Sequence, residues 1–319
     1  MISARGLTRS FKTKTGTVEA VRGLDLEVAE GELVAFLGPN GAGKSTSVRM
    51  LTTLLPPSSG TARVGGYDVA AEPASVRRQI GYVGQGSGSG PYHRVRDELV
   101  TQGLAQRMSS AAARKRADEL LGMLELEGLA DRDCASLSGG QRRRLDVALG
   151  LMHTPRILFL DEPSTGLDPH SRANLWEHIT RLRKQSGMTL FLTTHYLDEA
   201  DTMAERVLIM DHGVVIADDT PEKLKADLAG DALRVTVSDE AQAGKAAELA
   251  QALPEVREVR REDRSVSVTL RDGEIMLPEF LRRLQRAGIE AVSASVKRPT
   301  LDDVFLGLTG RSLRESAAS

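Results

Sequence analysis

With 319 residues the chain exceeds what one core fills, because single cores stop growing near about 250–300 residues, so a large and a smaller folding unit are expected. Its 40% hydrophobic and 27% charged residues exclude the compositions of disordered and fibrous chains, and a net charge of -2 excludes a general electrostatic pull on nucleic acid or an anionic membrane. A single cysteine, Cys134, excludes an internal disulfide. The apolar runs at 157–160 and 207–210 fall far short of the roughly 20 residues needed to cross a bilayer, and the N-terminus lacks a signal-peptide pattern, so a reducing cytoplasm is expected.

In chain order, 21–28 and 33–37 read as strands, the second feeding a glycine-rich turn and then a helix from Lys44 to about Leu54. Residues 87–91 (Ser-Gly-Ser-Gly-Pro) break regular structure, and 97–108 and 110–126 carry apolar residues at helical spacing, which predicts a helical insert over about 86–155. Strands return at 157–160, 190–193 and 207–210, with a helix over 171–185 and the segment 197–204 between them. That is the alternation of a parallel α/β sheet, expected to span 1–228. From 231 to 310 the order strand, helix, strand, strand, helix, strand predicts a small α+β, ferredoxin-like domain. A final helix over 301–308 places Leu301, Val304, Phe305 and Leu308 on one face, with Thr300 and Asp303 spaced as a capping box; a tail, 311–319, follows.

The nine residues Gly38, Pro39, Asn40, Gly41, Ala42, Gly43, Lys44, Ser45 and Thr46 have the spacing of a loop that turns backbone N–H groups onto phosphate oxygens at a helix N-terminus. Lys44 is expected to reach the β- and γ-phosphates and the Ser45 hydroxyl to ligate Mg²⁺. By itself this motif indicates a nucleotide and no more. The strand at 157–160 delivers Asp161 and Glu162 to its C-terminal end, where ligands of open α/β sheets gather. Because alternate side chains face opposite ways, Asp161 can hold the metal while Glu162 polarises a water as general base.

The stretch Leu137, Ser138, Gly139, Gly140, Gln141, followed by three arginines, opens a helix with a serine and two glycines, and so offers a second anion site. It resembles the signature of the ABC ATPases. That resemblance implies a P-loop NTPase core with the ABC helical subdomain, ATP and Mg²⁺ as ligands, and a head-to-tail homodimer in which Ser138 and Gly140 of one copy close on ATP held by the other. It also implies roles for four further residues. Gln85 matches the glutamine that senses metal and attacking water, and His195 the switch histidine that contacts the γ-phosphate and steadies Glu162. Asp168, in Ser-Thr-Gly-Leu-Asp, matches the loop that lies near the partner's phosphate loop, and Phe11, placed before the first strand, the aromatic that stacks on adenine. The segment 297–310, KRPTLDDVFLGLTG, resembles the C-terminal motif of daunorubicin-resistance ATPases. This implies the ATPase subunit of a bacterial exporter of drugs, antibiotics or lipids, working with a separate transmembrane permease at the cytoplasmic face of the membrane and with no nucleic-acid partner. Two alternatives stand beside it: a soluble ABC factor without a membrane partner, and a drug-binding protein that does not hydrolyse ATP.

Overall fold

The computed structural model describes residues 1–14 and 16–312; Thr15 and residues 313–319 of the expected tail lie outside the described residues. Two compact units divide the chain, Met1–Ala217 and a second from Asp218 onward. The division falls ahead of residue 228 because the short helix Pro221–Leu224, with Leu224 buried, packs against the final helix Leu301–Thr309.

The first unit holds a six-stranded sheet, whose edge strand Val214–Asp219 runs two residues past the division, in the order Val214–Asp219, Arg206–Asp211, Leu33–Leu37, Thr189–Thr194, Ile157–Asp161, Ile80–Val83. Its last five strands run parallel, with Leu37 beside Thr194, Asp161 beside Thr193, and Val83 beside Leu160. Every residue of the three middle strands is buried, as expected of parallel strands covered on both faces, and this explains their unbroken apolar sequences. Parallel direction and matched register bring the chain segments after residues 37, 83, 161 and 194 to one edge of the sheet. There the phosphate loop, Gln85, Glu162 and His195 emerge.

An antiparallel sheet, ordered Gly16–Val28, Ile2–Thr13, Ser59–Val64, Tyr67–Asp68, shares a core with the parallel sheet. Leu7, Leu24 and Val64 belong to the same apolar cluster as Met50, Phe36, Phe159 and Phe191. Phe36 meets Phe191 edge to face with centroids 5.8 Å apart, a contact worth about 0.5–1.5 kcal/mol beyond its buried area. Phe11, expected before the first strand, lies inside the strand Ile2–Thr13 opposite Val18. Register shifts after Ala4, Leu7 and Arg9 interrupt the two-residue alternation by which this strand would have been read.

Between the strands Ile80–Val83 and Ile157–Asp161 the chain forms the helices Val95–Ala105, Ser110–Met123 and Gly139–Leu151, the helical region expected from apolar spacing. Each of the first two ends three residues earlier than expected.

In the second unit an antiparallel sheet runs Val256–Glu262, Ser265–Leu270, Asp231–Val237, Ala291–Lys297, with the helices Glu240–Gln251 and Gly273–Arg286. Element order and sheet order together are those of a ferredoxin-like fold. Leu233, Val235, Val237, Val266, Val268 and Leu270 alternate toward Ala243, Ala246, Ala250, Phe280 and Leu284, giving this unit its own core. The final helix carries the expected reciprocal cap between Thr300 and Asp303. Leu301, Val304 and Phe305 are buried, whereas Leu308, on the same face but one residue from the helix end, is 37% exposed.

Candidate active site

The phosphate loop is held tightly from beneath. A side chain at Gly38 would place its Cβ 2.2 Å from the Met210 carbonyl oxygen, and one at Gly43, where φ is 110°, would sit 2.4 Å from that of Ala20. Only glycine fits at either position. The loop and the first turn of the helix Lys44–Leu51 line a cleft of about 270 Å³, built from residues 40–46 together with Ala20, Gln85 and Glu162.

Lys44, 4% exposed, folds back so that Nζ donates to the carbonyl oxygens of Gly38 at 2.6 Å and Pro39 at 3.0 Å, and it lies 4.0 Å from Glu162 Oε1. Burial pushes its ammonium pKa down, while Glu162 and Asp161 draw it back up. Ser45 Oγ donates to Asp161 Oδ1 at 2.9 Å and accepts from Gln85 Nε2 at 3.2 Å. Asp161 is fully buried, its Oδ1 also accepts from Thr193 Oγ1 at 2.6 Å, and its Oδ2 has no hydrogen-bond partner among the described residues. A buried carboxylate oxygen left open beside a serine hydroxyl and an amide is a hard, all-oxygen donor set of the kind Mg²⁺ takes. Ser45, Gln85 and Asp161 therefore fit the metal that the phosphate loop implies.

Glu162 follows at the strand end with φ 49°, left-handed backbone that a glutamate rarely adopts. Its N–H donates to both the carbonyl and the hydroxyl oxygen of Thr193, which holds the residue in that conformation. Its Oε2 lies 3.4 Å from His195 Nδ1 and accepts from Thr165 Oγ1 at 3.3 Å. The imidazole of His195, and secondarily Lys44, hold the Glu162 carboxyl below its ordinary pKa against the opposing effect of burial. A carboxylate so poised is ionised at neutral pH and available to accept a proton.

The remaining expected residues lie elsewhere in the chain. Ser138 caps the helix Gly139–Leu151 in a reciprocal box with Gln141, and none of Ser138, Gly139, Gly140 and Gln141 lines the phosphate-loop cleft. Asp168 caps the helix Pro169–Ser186 through Ser171, whose hydroxyl and N–H hold its carboxyl below the usual range. Phe11 is also absent from the cleft lining, and the Arg9 guanidinium lies 4.8 Å over its ring.

Two contributors escaped the sequence reading. Thr193 ties Asp161 and Glu162 to the neighbouring strand, and its place directly beside Asp161 is visible only once the strands are paired. Glu199, 3% exposed, accepts from Ser164 Oγ and, at 2.8 Å, from Thr194 Oγ1, joining the segment after Glu162 to the one before His195. A lone acid in a short helix gave no signal of burial.

A family model described as ABC transporter matches residues 21–165, and one described as the C-terminal domain of DrrA1-3-like ATP-binding proteins matches 220–309. The chain is 44% identical to the daunorubicin/doxorubicin resistance ATP-binding protein DrrA of Streptomyces peucetius, over 99% of this chain and 96% of that one. It is 33% identical to the linearmycin resistance ATP-binding protein LnrL of Bacillus subtilis, over 99% of this chain and 100% of that one. Among solved structures, a dimeric post-hydrolysis ATP-binding cassette bound to ADP and Pi superposes with a TM-score of 0.64 at 28% identity, covering 69% of this chain and 98% of that one.

Proposed function

We propose that this chain, which belongs to the ABC-transporter ATP-binding family of the daunorubicin-resistance type, hydrolyses ATP to drive the efflux of a drug, antibiotic or lipid-like compound through a separate membrane subunit. No helix among the described residues is long and apolar enough to cross a membrane, which accords with a partner that supplies the path. The working place is then the cytoplasmic face of the membrane.

The phosphate-loop amides of 38–46 and Lys44 grip the β- and γ-phosphates, with Lys44 exchanging its loop carbonyls for phosphate oxygens. Ser45, Gln85 and Asp161 would hold Mg²⁺, which when bound would neutralise charge on the phosphate oxygens. Glu162 accepts a proton from the attacking water, and His195 fixes the orientation of its carboxylate. The carrying observation is that the helix start at Ser138–Gly140 stands outside the cleft that gathers Lys44, Ser45, Gln85 and Glu162. A second copy, arranged head to tail, brings its own helix start to that cleft and closes the nucleotide from the far side. Asp168 and Gln141 lie with that surface, and Phe11 is the remaining candidate for the adenine face.

Sedimentation of a hydrolysis-deficient Glu162→Gln chain with ATP tests the arrangement. A dimer is expected with ATP and a monomer without it, and Ser138→Arg should abolish the dimer. A preparation that stays monomeric with ATP bound would remove the basis for two-sided closure. Recovery of the chain from membranes bound to a multi-helix protein tests the exporter role.

A further inference from the structure

Arg143 is 6% exposed, although it stands in a run of three arginines. Its guanidinium is spent entirely on the chain around the catalytic groups. Nε donates to the Pro163 carbonyl oxygen, Nη1 to that of Gly84 at 2.7 Å, and Nη2 to those of Asp161 and Glu162 at 3.4 and 3.3 Å. One turn along the same helix, Asp146 sits 3.8 Å from Nη1, and its Oδ1 accepts from the Gly88 N–H at 2.9 Å and from Ser87 Oγ at 3.2 Å. Gln85 is thus bracketed: the helix that begins at Ser138 holds the backbone before it through Arg143 and the backbone after it through Asp146.

We propose that Arg143 and Asp146 are positioning residues that couple the helix starting at Ser138 to Gln85 and Glu162 of the same chain. The inference rests on the head-to-tail reading, in which that helix start serves the partner's nucleotide. Closure at one nucleotide then sets the geometry of the catalytic groups at the other. A buried guanidinium with carbonyl acceptors on three sides and a paired carboxylate is stiff, so movement of the helix reaches Gln85 and Glu162 without slack.

The test uses the full chain with Mg²⁺·ATP and a fluorescent ATP analogue. Arg143→Met should lower kcat by about 100-fold, the loss that an ångström of misplacement brings, while the analogue's Kd stays near that of the parent. Because Arg143→Met leaves carbonyls unpaired and can prevent folding, Asp146→Asn and Asp146→Ala form a second pair. The asparagine oxygen still accepts from the Gly88 N–H, so Asn should keep most of the kcat that Ala loses. Parent-like kcat in a folded Arg143→Met chain, or equal kcat for Asp146→Asn and Asp146→Ala, overturns the proposal. ATP-driven dimerisation of Glu162→Gln is measured alongside. Its absence overturns the head-to-tail reading, whereas a dimer with unaltered kcat in Arg143→Met overturns this inference alone.

Discussion

Replacing Glu162 separates three things at the strand end: the proposed base, a negative charge, and a strained backbone. Glutamine keeps the shape and the contact from Thr165 Oγ1 but cannot take a proton. Loss of a general base lowers turnover by about 10²- to 10⁴-fold, or roughly 3–5 kcal/mol of barrier. Nucleotide affinity should hold or rise, because the charge removed lies 4.0 Å from Lys44, on the side where phosphate oxygens arrive. Glutamine inherits φ 49°, whereas Glu162→Gly does not pay for it, and left-handed backbone costs a non-glycine residue about 1–2 kcal/mol. The glycine variant should therefore be as inactive as the glutamine variant yet melt at a higher temperature. The assays are steady-state phosphate release, titration with a fluorescent nucleotide, and thermal melting. A glutamine variant that keeps its turnover within about tenfold of the parent would falsify the assignment of the base. A glycine variant no more stable than the glutamine one would refute the strain argument.

Thr193→Val keeps strand propensity and shape but strips Asp161 Oδ1 and the Glu162 N–H of a hydroxyl partner; a loss of about 1–3 kcal/mol in melting stability and a weakened Mg²⁺ dependence of turnover are expected, readable by metal titration. Gly38→Ala drives a methyl into the Met210 carbonyl, so nucleotide binding measured by titration should be lost even where circular dichroism shows a folded chain. The Glu162 carboxyl is held below its ordinary value of 4.5, so its ionised form stabilises the fold above that pH, and the contribution fades as pH falls through the depressed value. Parent and Glu162→Gln melting curves should accordingly converge on the acid side below pH 4.5 and differ by a constant amount at neutral pH.

Features that follow from local geometry were legible in the sequence. The phosphate loop needs glycines at fixed offsets before a lysine and a serine, Asp161 and Glu162 close an unbroken apolar strand, and the alternation across 231–297 spells the chain order of its strands and helices. Local spacing also sufficed for the caps at Ser138 and Thr300. Burial of polar groups is a different matter, since it depends on what lies across from a residue in space and not on its neighbours in the chain. Arg143 among three arginines, Glu199 in a short helix, and Thr193 in a strand look ordinary one by one. Strand pairing put Thr193 beside Asp161, and helix packing pressed Arg143 against Gly84 and Pro163, so only the tertiary structure decided which polar side chains hold Asp161 and Glu162 in place.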